Sequence, residues 1–95
     1  MDMRMKIRFP RPPSSKEEVF DAGIPAWHLA CALVGNYSSW QYNTYRKYWI
    51  LLGDTRFRDI LDTTRIILSE SKKIESPPRF LTAQLACALL VSSVS

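Results

Sequence analysis

Breaker residues cut this chain into helix-length segments, and that spacing constrains its fold more than any other feature. The only glycines are Gly23, Gly35 and Gly53, and beyond Pro13 the only prolines are Pro25, Pro77 and Pro78. Glycine is favoured just past a helix end and proline at the first helical position. Read by those rules, four main helices are expected at about 25–35, 38–52, 55–73 and 77–91. A short helix precedes them, opening at Ser15 and reaching about Asp21. Ser15-Lys16-Glu17-Glu18 fits a capping box, and Ser38 with Gln41 fits a second. Asp54 or Thr55 is expected to cap the helix that follows Gly53, with Lys72 and Lys73 at its negative end. Short links make successive helices antiparallel neighbours. The expected fold class is all-α: a compact helical bundle domain over 15–95, behind an extended basic N-terminal arm over 1–14.

The arm has its own pattern. Met3, Met5, Ile7 and Phe9 alternate with Arg4, Lys6 and Arg8, the period of a half-buried strand. Pro10, Pro12 and Pro13 then hold the chain extended. No second strand is evident, so the segment either lies on its own domain, stays unpaired or adds to another chain. Charge points the same way. Arg4, Lys6, Arg8, Arg11 and Lys16 against Asp2 account for the whole net charge of +4, and residues 17–95 are neutral. A basic arm on a neutral body suits a polyanion or serves as a solubilising tail.

Composition excludes several classes. With 95 residues, 46% of them hydrophobic, there is material for one core. Two cysteines cannot build a disulfide scaffold, and one histidine with two distant cysteines makes no zinc site. Three glycines leave no phosphate-cradling loop. No cofactor or metal is expected. No stretch reaches the roughly 20 apolar residues of a bilayer span, and no continuous apolar core marks a secretory signal. A soluble cytoplasmic protein with reduced thiols is expected. His28 is read as a packed side chain, Cys31 and Cys87 as buried and inert, and Asp59 with Asp62 as surface charge, so no enzyme is expected. Leu29-Ala30-Cys31-Ala32-Leu33 recurs as residues 85–89, read as two core helices that both pack closely through small residues.

Helix faces carry the functional expectation. At 100° per residue, Phe57, Ile60, Leu61, Thr64, Ile67 and Leu68 form a core stripe on the helix after Gly53. Arg58, Arg65 and Lys72 line up beside it, with Arg58–Asp62 and Asp62–Arg65 as possible pairs. Ile66 points away. The preceding helix is apolar around most of its circumference, through Trp40, Tyr42, Tyr45, Tyr48, Trp49, Ile50, Leu51 and Leu52, so it is expected to be central or covered by a partner. The last helix is similarly apolar.

In size, helix content and charge, though in no motif, the chain resembles small helical subunits of ribonucleoprotein assemblies such as CRISPR effectors. That resemblance implies a non-enzymatic subunit that assembles with other proteins or itself and touches nucleic-acid backbone without sequence preference. The expected phosphate contacts are Arg4, Lys6, Arg8, Arg11, Arg46, Lys47, Arg58, Arg65 and Lys72. The alternative is a protein–protein module or small inhibitor docking through Met5, Ile7, Phe9, Tyr42, Tyr45 and Ile66. Neither reading involves a membrane or a small-molecule substrate.

Overall fold

A computed structural model describes residues 12–71 and 73–94, with side chains through residue 92. The cations and apolar residues of the arm up to Arg11, and Lys72, lie outside these. The described residues are all-helical: α1 (Lys16–Val19), α2 (Ala26–Val34), α3 (Ser39–Leu52), α4 (Asp54–Glu70) and α5 (Pro77–Val94). No strand occurs among them. No helix among them is long and apolar enough to cross a membrane.

Helix starts follow local chemistry. Ser15 Oγ accepts from the Glu18 amide at 3.2 Å, and Ser38 Oγ from the Gln41 amide at 3.2 Å. Each satisfies one of the orphan donors of a first turn. Glu18 reaches back to the Ser14 amide and hydroxyl rather than to Ser15. α1 is a single turn that stops at Val19, short of Asp21. α2 ends at Gly35, whose φ of 70° allows the Asn36 amide to reach Cys31 O at 3.1 Å, the left-handed helix stop that glycine favours. α4 ends at Glu70 and not at Lys73. Ser71 there turns extended, and its hydroxyl accepts from the Lys73 amide.

The α3–α4 junction is tighter than expected. Gly53 alone separates the two helices, so no two-residue link exists. Its amide donates to Trp49 O at 2.9 Å and its carbonyl accepts from Phe57 N at 3.0 Å. One residue thus closes α3 and opens α4, at φ 94° and ψ 154°. Asp54 becomes the first residue of α4, and neither it nor Thr55 caps the helix.

The centre of the bundle is α2 and not α3. Ala26, Leu29, Ala30, Cys31, Ala32, Leu33 and Val34 are all buried, and α2 packs against α3, α4 and α5. Small side chains at Ala30, Cys31 and Ala32 let neighbours approach on several sides. Around α2 the core is completed by Val19, Tyr45, Phe57, Leu61, Leu81 and Leu85. Burying each large member is worth about 1.5–3 kcal/mol. Phe57, Leu61 and Thr64 confirm the α4 stripe, with Ile60, Ile67 and Leu68 half-buried beside them. The repeated pentapeptide meets two environments: it is wholly buried in α2, whereas in α5 only Leu85 is, and Cys87 is exposed.

A methyl group on Gly53 meets nothing within 4 Å. Gly53→Ala therefore costs backbone strain alone, about 1–3 kcal/mol. Urea unfolding should show a lower midpoint with an unchanged slope.

Candidate functional site

Of the α4 cations suggested by sequence, Lys72 lies outside the described residues, and Arg58 and Arg65 are engaged within the fold. Arg58 is 5% exposed. Its Nη1 donates to Val19 O at 2.8 Å and Asp21 O at 3.0 Å, and its Nη2 to Ile24 O at 2.8 Å. Its Nε donates to both carboxylate oxygens of Asp54, at 3.0 and 3.1 Å. A guanidinium has five N–H donors, and at least four of these are used inside the protein. Arg58 is therefore a structural cation that ties the α1–α2 loop to α4, and it has no face left for phosphate. Its pairing with Asp62 is also replaced: Asp62 instead holds Arg65, with Nη2 at 2.6 Å and Nε at 2.9 Å from Oδ1. Arg65 further reaches Ser14 O at 3.4 Å, so its charge is largely answered within the fold.

What the fold presents instead is one half of α3. Ser39, Trp40, Tyr42, Asn43, Arg46, Lys47, Ile50 and Leu51 are all exposed, while Gln41, Thr44, Tyr45, Tyr48, Trp49 and Leu52 turn inward. The division follows the helix period. Trp40 is 64% exposed, Ile50 63% and Leu51 55%. Tyr45, expected at an interface, is wholly buried, and its hydroxyl donates to Pro78 O at 3.4 Å. Burial pushes its phenol up to about 12.

Aromatic packing fixes this orientation. The Trp27 ring of α2 meets Trp49 edge-on at 4.7 Å between centroids and Tyr42 at 6.4 Å. Arg46 lies over Trp27, 5.9 Å from the ring centroid, a cation–π contact that leaves its donors facing outward. Trp49 Nε1 donates to Asp54 Oδ1 at 2.9 Å. That indole bond, with the Arg58 guanidinium, holds the Asp54 carboxyl below its usual range against the opposing effect of burial.

The surface is chemically one-sided. Between Asp21 and Asp54 there is no carboxylate side chain, and the cations there are Arg46 and Lys47. Apolar surface thus lies among positive charges on α3. A second apolar strip lies on α5, where Leu90 is 65% and Val91 62% exposed beside Ala83 and Cys87. Ile66 is exposed on α4 as expected. Sequence reasoning missed Trp40, Ile50, Leu51, Leu90 and Val91 as surface residues. α5 is apolar on every side and offers no face to choose, whereas on α3 Asn43, Arg46 and Lys47 mark a narrow polar strip and Trp40, Ile50 and Leu51 lie one helical turn from it.

Burial pushes the Cys31 thiol up to about 11, which removes the thiolate a nucleophile needs. His28 is half-buried in α2, Asp59 is exposed, and Asp62 is paired. No group of three metal-ligating side chains forms among the described residues. No protein-family model, characterised protein or solved structure matches this chain.

Two stability measurements test the arrangement. Arg58→Met leaves Val19 O and Ile24 O without this donor, while Asp21 O keeps the Ile24 amide and Asp54 keeps the Trp49 indole. It should destabilise by about 3–5 kcal/mol, and Arg58→Lys should recover only part, because one ammonium cannot span the same acceptors. Asp54 gives a pH test. Its folded pKa lies below its unfolded value of about 3.9, so its contribution is present above that value and disappears as pH falls through the folded pKa. At pH 7, Asp54→Asn should be less stable than the parent by about 0.5–1 kcal/mol, because half of the Asp54 side chain is exposed and its charge is screened by solvent. Denaturation midpoints of the two proteins should converge as pH drops below 4.

Proposed function

We propose that this protein is a non-enzymatic docking module that seats the outer half of α3 on a partner protein. The observation that carries the reading is the composition of that half. Trp40, Tyr42, Ile50 and Leu51 stand exposed beside Arg46 and Lys47. Trp, Tyr and Arg are the residue types that dominate binding energy at protein interfaces. A partner that fits offers apolar side chains framed by carboxylates, opposite Arg46 and Lys47 in sign. The α5 strip through Leu90 and Val91 supplies a second contact for the same assembly.

The absence of carboxylates on α3 favours a second reading, contact with nucleic-acid backbone. Arg46 and Lys47 are open to phosphate there, and the arm adds Arg4, Lys6, Arg8 and Arg11. It is the weaker reading, because exposed aliphatic side chains at Ile50 and Leu51 gain nothing from phosphate, and α4 does not extend the row.

A photo-reactive amino acid at Ile50 in the full-length chain, irradiated in the cell that makes it, separates the two. A discrete protein adduct, lost on Arg46→Glu with Lys47→Glu and absent when the probe sits at exposed Thr63, is the expected result. A nucleic-acid adduct at Ile50 shifts the conclusion to the second reading. Equal labelling from Ile50 and Thr63 defeats both.

A further inference from the structure

The exposed apolar face of α5 is uneven along its length. At 100° per residue, Ala83, Cys87, Leu90 and Val91 fall within one arc of about 100°. All four are exposed, while Leu81 and Leu85 on the opposite side are wholly buried. The first half of the face is small and the second half is large. From Phe80 to Ser95 no side chain is charged. A recess adjoins the small half. A hollow of about 400 Å³ opens between α3 and α5, with Trp40, Pro78, Ala83 and Ala86 as apolar walls. On the helical wheel Ala83 and Ala86 lie on the same side of Cys87 as Leu90. The face therefore has a receding part, Ala83 with the hollow, and a projecting part, Leu90 with Val91, about two turns apart.

Two such faces fit each other when the helices run antiparallel. A twofold axis perpendicular to both reverses the direction along the helix and keeps each side on its own side. The Leu90–Val91 end of one copy then meets Ala83 and the hollow of the other, and the exchange is reciprocal, as a twofold contact requires. A parallel pair sets large against large and small against small, which leaves a void. Charge agrees with a second copy. The α5 face meets no like charge in its own copy, whereas two α3 surfaces would oppose Arg46 and Lys47 to themselves. Arg79 makes no ion pair among the described residues and comes beside the last turn of the other α5, which holds no basic residue. A cation is favoured at that negative end. Glu75 lies a further turn out, ahead of the helix.

From this self-complementarity we infer that the protein forms a twofold dimer in which α5 packs antiparallel on α5 of a second copy. Leu90 of each chain sits against Ala83 and the hollow of the other. The inference goes beyond the docking role of α3 and does not rest on it. It gives the α5 strip its occupant, and the dimer presents two α3 surfaces.

The test is sedimentation velocity of the full chain over a series reaching high micromolar concentration, since a contact the size of one helix face is weak. The expected result is a reversible species of twice 11.0 kDa. Leu90→Asp should raise the dimer dissociation constant about tenfold or more, with an unchanged circular dichroism spectrum because the side chain is exposed. Ala83→Leu adds apolar surface yet fills the receding part, so it too should weaken the dimer, about fivefold. Direction is read by cross-linking in a Cys87→Ser background. A short bis-maleimide should join Ala83→Cys chains to Val91→Cys chains, and not Ala83→Cys chains to each other; Cys31 is buried and does not compete. A monomer across the series overturns the inference. So does a Leu90→Asp protein that dimerises like the parent, an Ala83→Leu protein that dimerises more tightly, or cross-linking of Ala83→Cys chains to each other. A dimer that Ile50→Asp dissolves places the contact on α3 and overturns it as well.

Discussion

The fold hangs on a single buried guanidinium. Placing a cation in a protein interior costs several kcal/mol even after relaxation, and Arg58 offsets that cost by answering four groups at once. Three are carbonyls of the α1–α2 segment, Val19, Asp21 and Ile24, which the helices on either side leave open. The fourth is the Asp54 carboxylate. Without that donor fork, the segment between α1 and α2 would carry unpaired carbonyls against the core. α1 is one turn long and cannot hold itself in place by helix propensity. Its anchoring to the bundle therefore depends on Arg58 together with the burial of Val19.

From Arg58 the constraint passes outward to the surface. Asp54 binds Arg58 on one side and the Trp49 indole on the other. Trp49 in turn packs on Trp27 of α2, beneath Arg46. A contiguous set of contacts thus runs from the α1–α2 segment through α4 and the end of α3 to the central helix. Gly53 makes it possible, because a one-residue junction puts Trp49 and Asp54 within hydrogen-bonding reach across the helix break. The same set fixes which half of α3 faces outward.

The elements were legible in the sequence because their signals are local. Ser15, Ser38, Gly35 and Gly53 mark helix ends through bonds made within four residues, and the α4 stripe reads directly from its period. Two things were not legible, for one physical reason. Arg58 sits beside the stripe on the helical wheel, where a solvated cation and a buried one look alike; its carbonyl acceptors lie 34 to 39 residues away. α5 is apolar on all sides, so its inward face is chosen by neighbours and not by its own pattern, and on α3 only the narrow strip of Asn43, Arg46 and Lys47 marks the outer half. The identity of the central helix followed suit. α2 holds the centre through Ala30, Cys31 and Ala32, residues whose small size matters more than their hydropathy. The candidate surface was half visible: Tyr42, Arg46, Lys47 and Ile66 were expected outside and are, while Tyr45 and Arg58 turned inward.

The polarity of α3 is inverted at one point, and the packing around the helix holds the inversion in place. Gln41 lies inside with an unpaired oxygen, while its neighbour Trp40 stands 64% exposed. Rotating α3 by one residue, about 100°, would carry Trp40 into the buried place of Gln41 and Gln41 into the exposed place of Tyr42. The rotation is blocked. It would pull Tyr45 from its seat against Pro78 and Trp49 from Asp54, and with Trp49 the carboxylate that Arg58 needs. An isolated domain selected only for its own stability gains by changing these two side chains, since polar at 40 and apolar at 41 fits the observed backbone. The chain keeps a buried acceptor and an exposed indole side by side. Each is a cost to the free protein, of about 1–3 kcal/mol for the unpaired group alone.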